Sequence, residues 1–142
     1  MSIFFSPFTY AAAHLGVIAL CIVVTMIIGF TWFGVIFMKP WCALSGVMNV
    51  PESARKKQML PATITNIVGV IVQSTVLGAA LQDIVSTTEA MSIAAMLWFT
   101  FTFTVFMTSY AYGLKSWKLL LIDTLYYLTT WLVMAVIIVK LS

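Results

Sequence analysis

The stretch His14–Met38, HLGVIALCIVVTMIIGFTWFGVIFM, decides the fold. It holds no formal charge unless His14 is protonated, and a helix needs about 20 apolar residues to cross a hydrocarbon core. Further runs go from Leu60 to Gln82, from Met91 to Leu114, and from Leu119 to Val139, the last interrupted only by Asp123. These four spans (14–38, 60–82, 91–114 and 119–139) occupy most of the 142 residues. Charged residues make up 8% of the chain, about a third of the roughly 25% typical of soluble domains. That excludes a soluble enzyme, a disordered chain and a disulfide scaffold. Barrel strands show about ten residues of alternating polarity, and these runs are twice as long. The sequence predicts one all-α domain: an integral membrane, antiparallel bundle of four transmembrane helices.

Basic residues set the expected orientation. Lys39, Arg55, Lys56 and Lys57 fall between spans one and two, and Lys115 and Lys118 between spans three and four. Only Lys140 falls on the other side, which also holds Asp83 and Glu89. Both basic connections are therefore expected in the cytoplasm and both termini outside. No basic residue precedes the first apolar run, so no cleaved signal peptide is expected.

In the long first connection, Asn49 and Glu52 are spaced as a helix cap. They predict a surface helix over 51–60, stopped near Pro61. Its Arg55, Lys56 and Lys57 fix topology and can hold anionic lipid headgroups at about 1 kcal/mol per charge. Pro40 is expected to end span one. Phe4, Phe5, Phe8 and Tyr10 are placed at the outer interface, and Trp32, Trp41, Trp98, Trp117 and Trp131 supply candidate interfacial anchors.

Few soluble chemistries fit the inventory. Cys21 and Cys42 lie roughly 30 Å apart along helical chain, too far for a disulfide. His14 is the sole histidine, so a bis-histidine haem or multi-histidine metal site would need a partner chain. No phosphate-binding glycine loop or nucleophile elbow is present. Asp83 and Glu89 read as a solvated turn, and the split basic residues make no nucleic-acid groove. Neither catalysis nor a cofactor is expected.

Asp123 is the most informative residue. Six steps from Trp117 place it about 9 Å inside span four, where a carboxylate costs up to about 2.5–3.5 kcal/mol unless shielded. Lys39 is its expected partner, in an ion pair of about 4 Å. Tyr126, Tyr127 and Thr130 share its side of the helix. Asn66 and Gln73 lie along one face of span two, and Thr100, Thr104 and Thr108 along one face of span three. Such residues pack helices closely or line a narrow polar path.

Gly29, Trp32, Phe33, Phe37, Lys39, Trp41 and Gly46 form a pattern that resembles the signature of a family of small bacterial four-helix membrane proteins of unknown function. Trp117–Asp123 followed by Tyr126 is similar too, although Leu125 and Tyr127 stand where the family pattern has glycine and histidine. The resemblance covers nearly the whole chain and implies four transmembrane helices in a bacterial cytoplasmic (inner) membrane, with no established activity.

Two functions are compatible with these residues. One is a structural or accessory subunit acting through helix contacts in a homo-oligomer or larger membrane complex. The other is a small oligomeric channel or transporter for protons or ions, using Asp123 and the polar faces of spans two and three.

Overall fold

The computed structural model describes residues 6–142. Its helices are α1 (Ser6–Ala13), α2 (Leu15–Thr31), α3 (Met38–Ser45), α4 (Glu52–Leu81), α5 (Thr87–Leu97), α6 (Thr104–Tyr112) and α7 (Trp117–Leu141). Two π-helical turns, Trp32–Ile36 and Trp98–Phe103, extend α2 and join α5 to α6. No strand occurs among the described residues. Four helices are long and apolar enough to cross a membrane: Leu15–Ile36, Glu52–Leu81, Thr87–Tyr112 and Trp117–Leu141. These are spans one to four.

Proline does not end helices where the sequence predicts it. The 51–60 segment is no separate surface helix, because α4 runs unbroken through Pro61. Thr65 Oγ1 donates to the Pro61 carbonyl at 2.8 Å, and Thr63 Oγ1 to Met59 O at 2.8 Å. The carbonyl that Pro61 leaves without an N–H partner is that of Lys57, one turn earlier among the exposed basic residues, where water can serve it. At about 1.5 Å per residue, the 30-residue α4 is about 45 Å long, more than a hydrocarbon core needs. Its first turns, with Arg55, Lys56 and Lys57, therefore extend past the apolar run. Asn49 lies in a 3-10 turn (Val47–Asn49) and does not cap; Pro51 occupies the cap position, and Glu52 pairs with Lys56 at 2.7 Å. Pro40 likewise sits in the first turn of α3, where its missing N–H leaves no gap. Span one breaks earlier, at Phe37 (φ −108°, ψ 13°).

Span four is the hub. It packs against spans one, two and three, whereas span three packs mainly on span four. Spans two and three share no extended contact. At the end away from the basic connections, Cys21, Val70, Leu77, Leu81, Ala90, Ala94, Met134, Ala135 and Ile138 form a dry core. The fully buried alanines let the α5 and α7 backbones approach closely.

Tyr10 belongs to this core and not to the outer interface. It seats α1 on α4 over Gly78, where any Cβ would lie 2.0 Å from the Tyr10 ring. The His14 ring stacks on Tyr10 and bonds the Tyr10 carbonyl. Phe8 is exposed; Phe4 and Phe5 lie outside the described residues. Cys21 is buried, Cys42 half-buried, and both are free thiols.

The turn between spans three and four ends α6 with a Schellman arrangement. Lys115 N donates to Tyr110 O at 3.0 Å, while Leu114 takes the left-handed position (φ 50°) usually filled by glycine. Ser116 then caps α7, accepting from Lys118 N. At the other end Ser86 caps α5 by accepting from Glu89 N. Glu89 thus serves a helix start, and Asp83 lies in the turn before it.

Candidate functional site

The basic end of the bundle is built differently. A cavity of about 500 Å³ opens between the helices there, lined by Met26, Gly29, Phe30, Phe33, Trp41, Asn66, Phe106, Asp123, Tyr126 and Tyr127. All four spans and α3 contribute to it. The π turn at Trp32–Ile36 carries a 2.8 Å bond from Phe37 N to Trp32 O, a wider loop than an α-helical turn. That turn and the Phe37 break re-aim α3 so that Trp41 faces span four.

Asp123 is half-buried in the cavity wall. Trp41 Nε1 donates to Oδ1 at 3.0 Å, and the Tyr110 hydroxyl donates to Oδ2 in a very short contact. The expected Lys39 ion pair is absent. Residues two apart on a helix lie about 200° apart around its axis, so turning Trp41 inward turns Lys39 outward, where it is exposed. The ion pair found among the described residues is Lys56–Glu52. Lys115 Nζ lies 5.0 Å from the Tyr110 ring centroid but does not line the cavity.

Two more indoles grip span four beside Asp123. Trp32 Nε1 donates to Ile122 O at 3.1 Å, and Trp98 Nε1 to Thr124 O at 2.8 Å. Both tryptophans begin π turns, and both are followed by phenylalanine. Three indoles thus hold three consecutive residues of α7. Trp32, Trp41 and Trp98 are inward donors rather than interfacial anchors, because an indole N–H in an apolar medium needs an acceptor. Trp117 is exposed, as an anchor would be, and Trp131 lines an apolar groove with Leu97.

The aromatic wall continues along α7. Tyr126 is buried against Phe33 and Trp32, with Gly29 leaving room for its ring: a Cβ there would lie 3.2 Å from the hydroxyl. Tyr127 packs edge-on to Tyr126 and tilts against Phe106. Asn66 Nδ2 contacts Met26 Sδ at 3.3 Å. Thr130, buried deeper, bonds the Tyr127 carbonyl.

The structure therefore joins Asp123, Tyr126, Tyr127 and Asn66 in one site and leaves out the other predicted members. Gln73 lines the separate groove beside Trp131. Thr104 and Thr108 donate to the backbone one turn earlier, at Thr100 O and Thr104 O, and border a shallow surface groove with Val105 and Ser109. Arg55 is half-buried with Nη1 3.7 Å from Met48 Sδ, and Lys57 is exposed. Among the described residues no three His, Cys, Asp or Glu side chains come together as a metal site.

Trp41 and Tyr110, the direct partners of Asp123, are missing from the sequence-predicted site. Tyr110 had a usable signal. Four residues back along α6 and four forward along α7 lead from the Tyr110–Asp123 pair to the Phe106–Tyr127 pair, the register of an antiparallel helical hairpin.

A family model described as "protein of unknown function (DUF1761)" matches residues 17–139. The chain belongs to the DUF1761 family. The match spans all of the site, from Met26 to Tyr127, and bears out the resemblance drawn from the Trp32–Trp41 motif. Comparison with curated proteins and with solved structures finds no match.

Proposed function

We propose that this DUF1761 protein is a small, non-enzymatic membrane transporter that handles a proton or cation at Asp123, working as an oligomer in a bacterial cytoplasmic membrane. One observation carries the reading: polar groups from separate spans meet in a cavity instead of in helix–helix seams. Helix seams in a scaffold pack closely, whereas here a cleft of about 500 Å³, partly open along the exposed Phe30, leaves Asp123 beside unfilled space. The dry core at the opposite end closes the bundle there, which favours uptake and release over an open pore. The basic end faces the cytoplasm in this reading, both termini lie outside, and Arg55 and Lys57 meet anionic headgroups.

A structural or accessory role is the second reading. It is favoured by the two donors already on Asp123, which make that residue a joint between three helices. Proton flux separates the two. Protein reconstituted in liposomes with an internal pH-sensitive dye is expected to move protons, and Asp123→Asn to abolish the movement. A wild-type rate equal to empty liposomes, with a fixed partner co-purifying in mild detergent, supports the accessory role instead. Orientation is read from Cys42, expected to react with thiol reagents from the cytoplasmic side only.

A further inference from the structure

We infer that the Asp123 cavity takes a lipophilic organic cation, an ammonium or phosphonium carried on aromatic or apolar groups. This rests on the reading of the cavity as a ligand site and names the ligand's chemistry.

Charge comes first. Among the described residues lining the cavity, Asp123 is the single acidic or basic side chain, and no lysine, arginine or histidine opposes it. Trp41 and Tyr110 each donate to one carboxylate oxygen. A carboxylate has about four acceptor positions, so the pair fixes its direction without using it up. An anion would meet this carboxylate with nothing to offset it. A neutral ligand would leave it uncompensated.

Shape and surface narrow the class. Phe30, Phe33, Phe106, Tyr126 and Tyr127 line the same cavity as the acid, and aromatic faces attract cations within about 6 Å, most strongly where water is excluded. A bare metal ion would lose its hydration to a site offering one carboxylate and mainly ring carbon, far from the six or more oxygens that hard cations take. An organic cation has a weak hydration shell and apolar groups for the rings. The cavity's size falls within the roughly 300–1,000 Å³ of small-molecule sites. Access fits as well: spans two and three share no extended contact, both line the cavity, through Asn66 and Phe106, and Phe30 on its wall is 75% exposed, which gives a ligand dissolved in the bilayer a way in.

The test uses the full chain in detergent micelles with tetraphenylphosphonium as probe and equilibrium dialysis as readout. Saturable binding is expected, weakened at least about tenfold by Asp123→Asn and largely kept by Asp123→Glu. Methyltriphenylphosphonium is expected to bind at least about tenfold more tightly than triphenylphosphine oxide, which is neutral and matches it closely in size and shape. Thermal unfolding of Asp123→Asn identifies loss of fold; should it unfold, the comparison of charged and neutral probes on the wild type decides alone. Equal binding of both probes, or no phosphonium binding, overturns the inference. Asp123-dependent proton flux that tetraphenylphosphonium does not inhibit would overturn it while leaving transport standing. Charge-selective binding without any flux would do the reverse.

Discussion

The two ends of the bundle solve the same packing problem with opposite materials. Away from the basic connections, small and aliphatic side chains pack closely: Ala90, Ala94, Ala135 and Cys21 are fully buried, and Gly78 accepts the Tyr10 ring. At the basic end the contacts are aromatic and directional. Rings at centroid distances near 5 Å, among them Phe33–Tyr126 and Phe106–Tyr127, and three indole hydrogen bonds hold the helices apart. Small residues let backbones close up by dispersion. Large rings joined by hydrogen bonds fix geometry while leaving space between them. The first end supplies rigidity, and the second a shaped cavity around an acid.

The sharpest way to break this contrast is truncation at each end. Met134→Ala removes a fully buried side chain and is expected to cost about 2–5 kcal/mol. Phe106→Ala, at the wall of an existing cavity, is expected to cost much less. Thermal unfolding in detergent measures both, and equal losses would erase the distinction. Next in size is Trp41→Phe, which removes the indole donor to Asp123; hydrogen bonds to charged groups contribute about 1.5–3 kcal/mol. Trp98→Phe loses only a bond to a backbone carbonyl, about 0.5–1.5 kcal/mol. If Trp98→Phe proved the more damaging, Asp123 would not be the main joint.

Gly78→Ala tests the opposite end. Its methyl would overlap the Tyr10 ring, and overpacking typically costs about 1–3 kcal/mol. Displacement of α1 should appear as faster proteolysis near Ala13. The smallest effect has the opposite sign. Leu114 occupies a left-handed position on the surface, so Leu114→Gly is expected to stabilise the turn by up to about 1–2 kcal/mol. A loss of stability there would show that contacts of the Leu114 side chain outweigh its backbone strain.

Much of this was legible in the residues. Four long apolar runs point to four helices, and the structure has four helices long and apolar enough to cross a membrane, although the second begins at Glu52, well before the expected residue 60. The importance of Asp123 and its nearness to Tyr126 and Tyr127 also follow, from its depth in span four and from helical periodicity. Its partner did not. Lys39 is the natural choice by charge and depth, but facing depends on the helix phase, and the π turn at Trp32–Ile36 and the break at Phe37 reset that phase before Lys39 is reached. Pro61 misled as well. Proline frees only the carbonyl four residues back, here that of exposed Lys57, so the helix runs on through Pro61 with that carbonyl left to water.

By itself, then, the sequence determined the number of long apolar helices and singled out the one acid within the apolar runs, because those depend on hydrophobicity and length summed over many residues. Only the tertiary structure decided that its partners are Trp41 and Tyr110, that the threonine face of span three stands apart, and that a cavity lies between the rings. Those outcomes turn on the rotation of each helix about its axis, and a single wide turn changes that rotation without altering the composition of the chain.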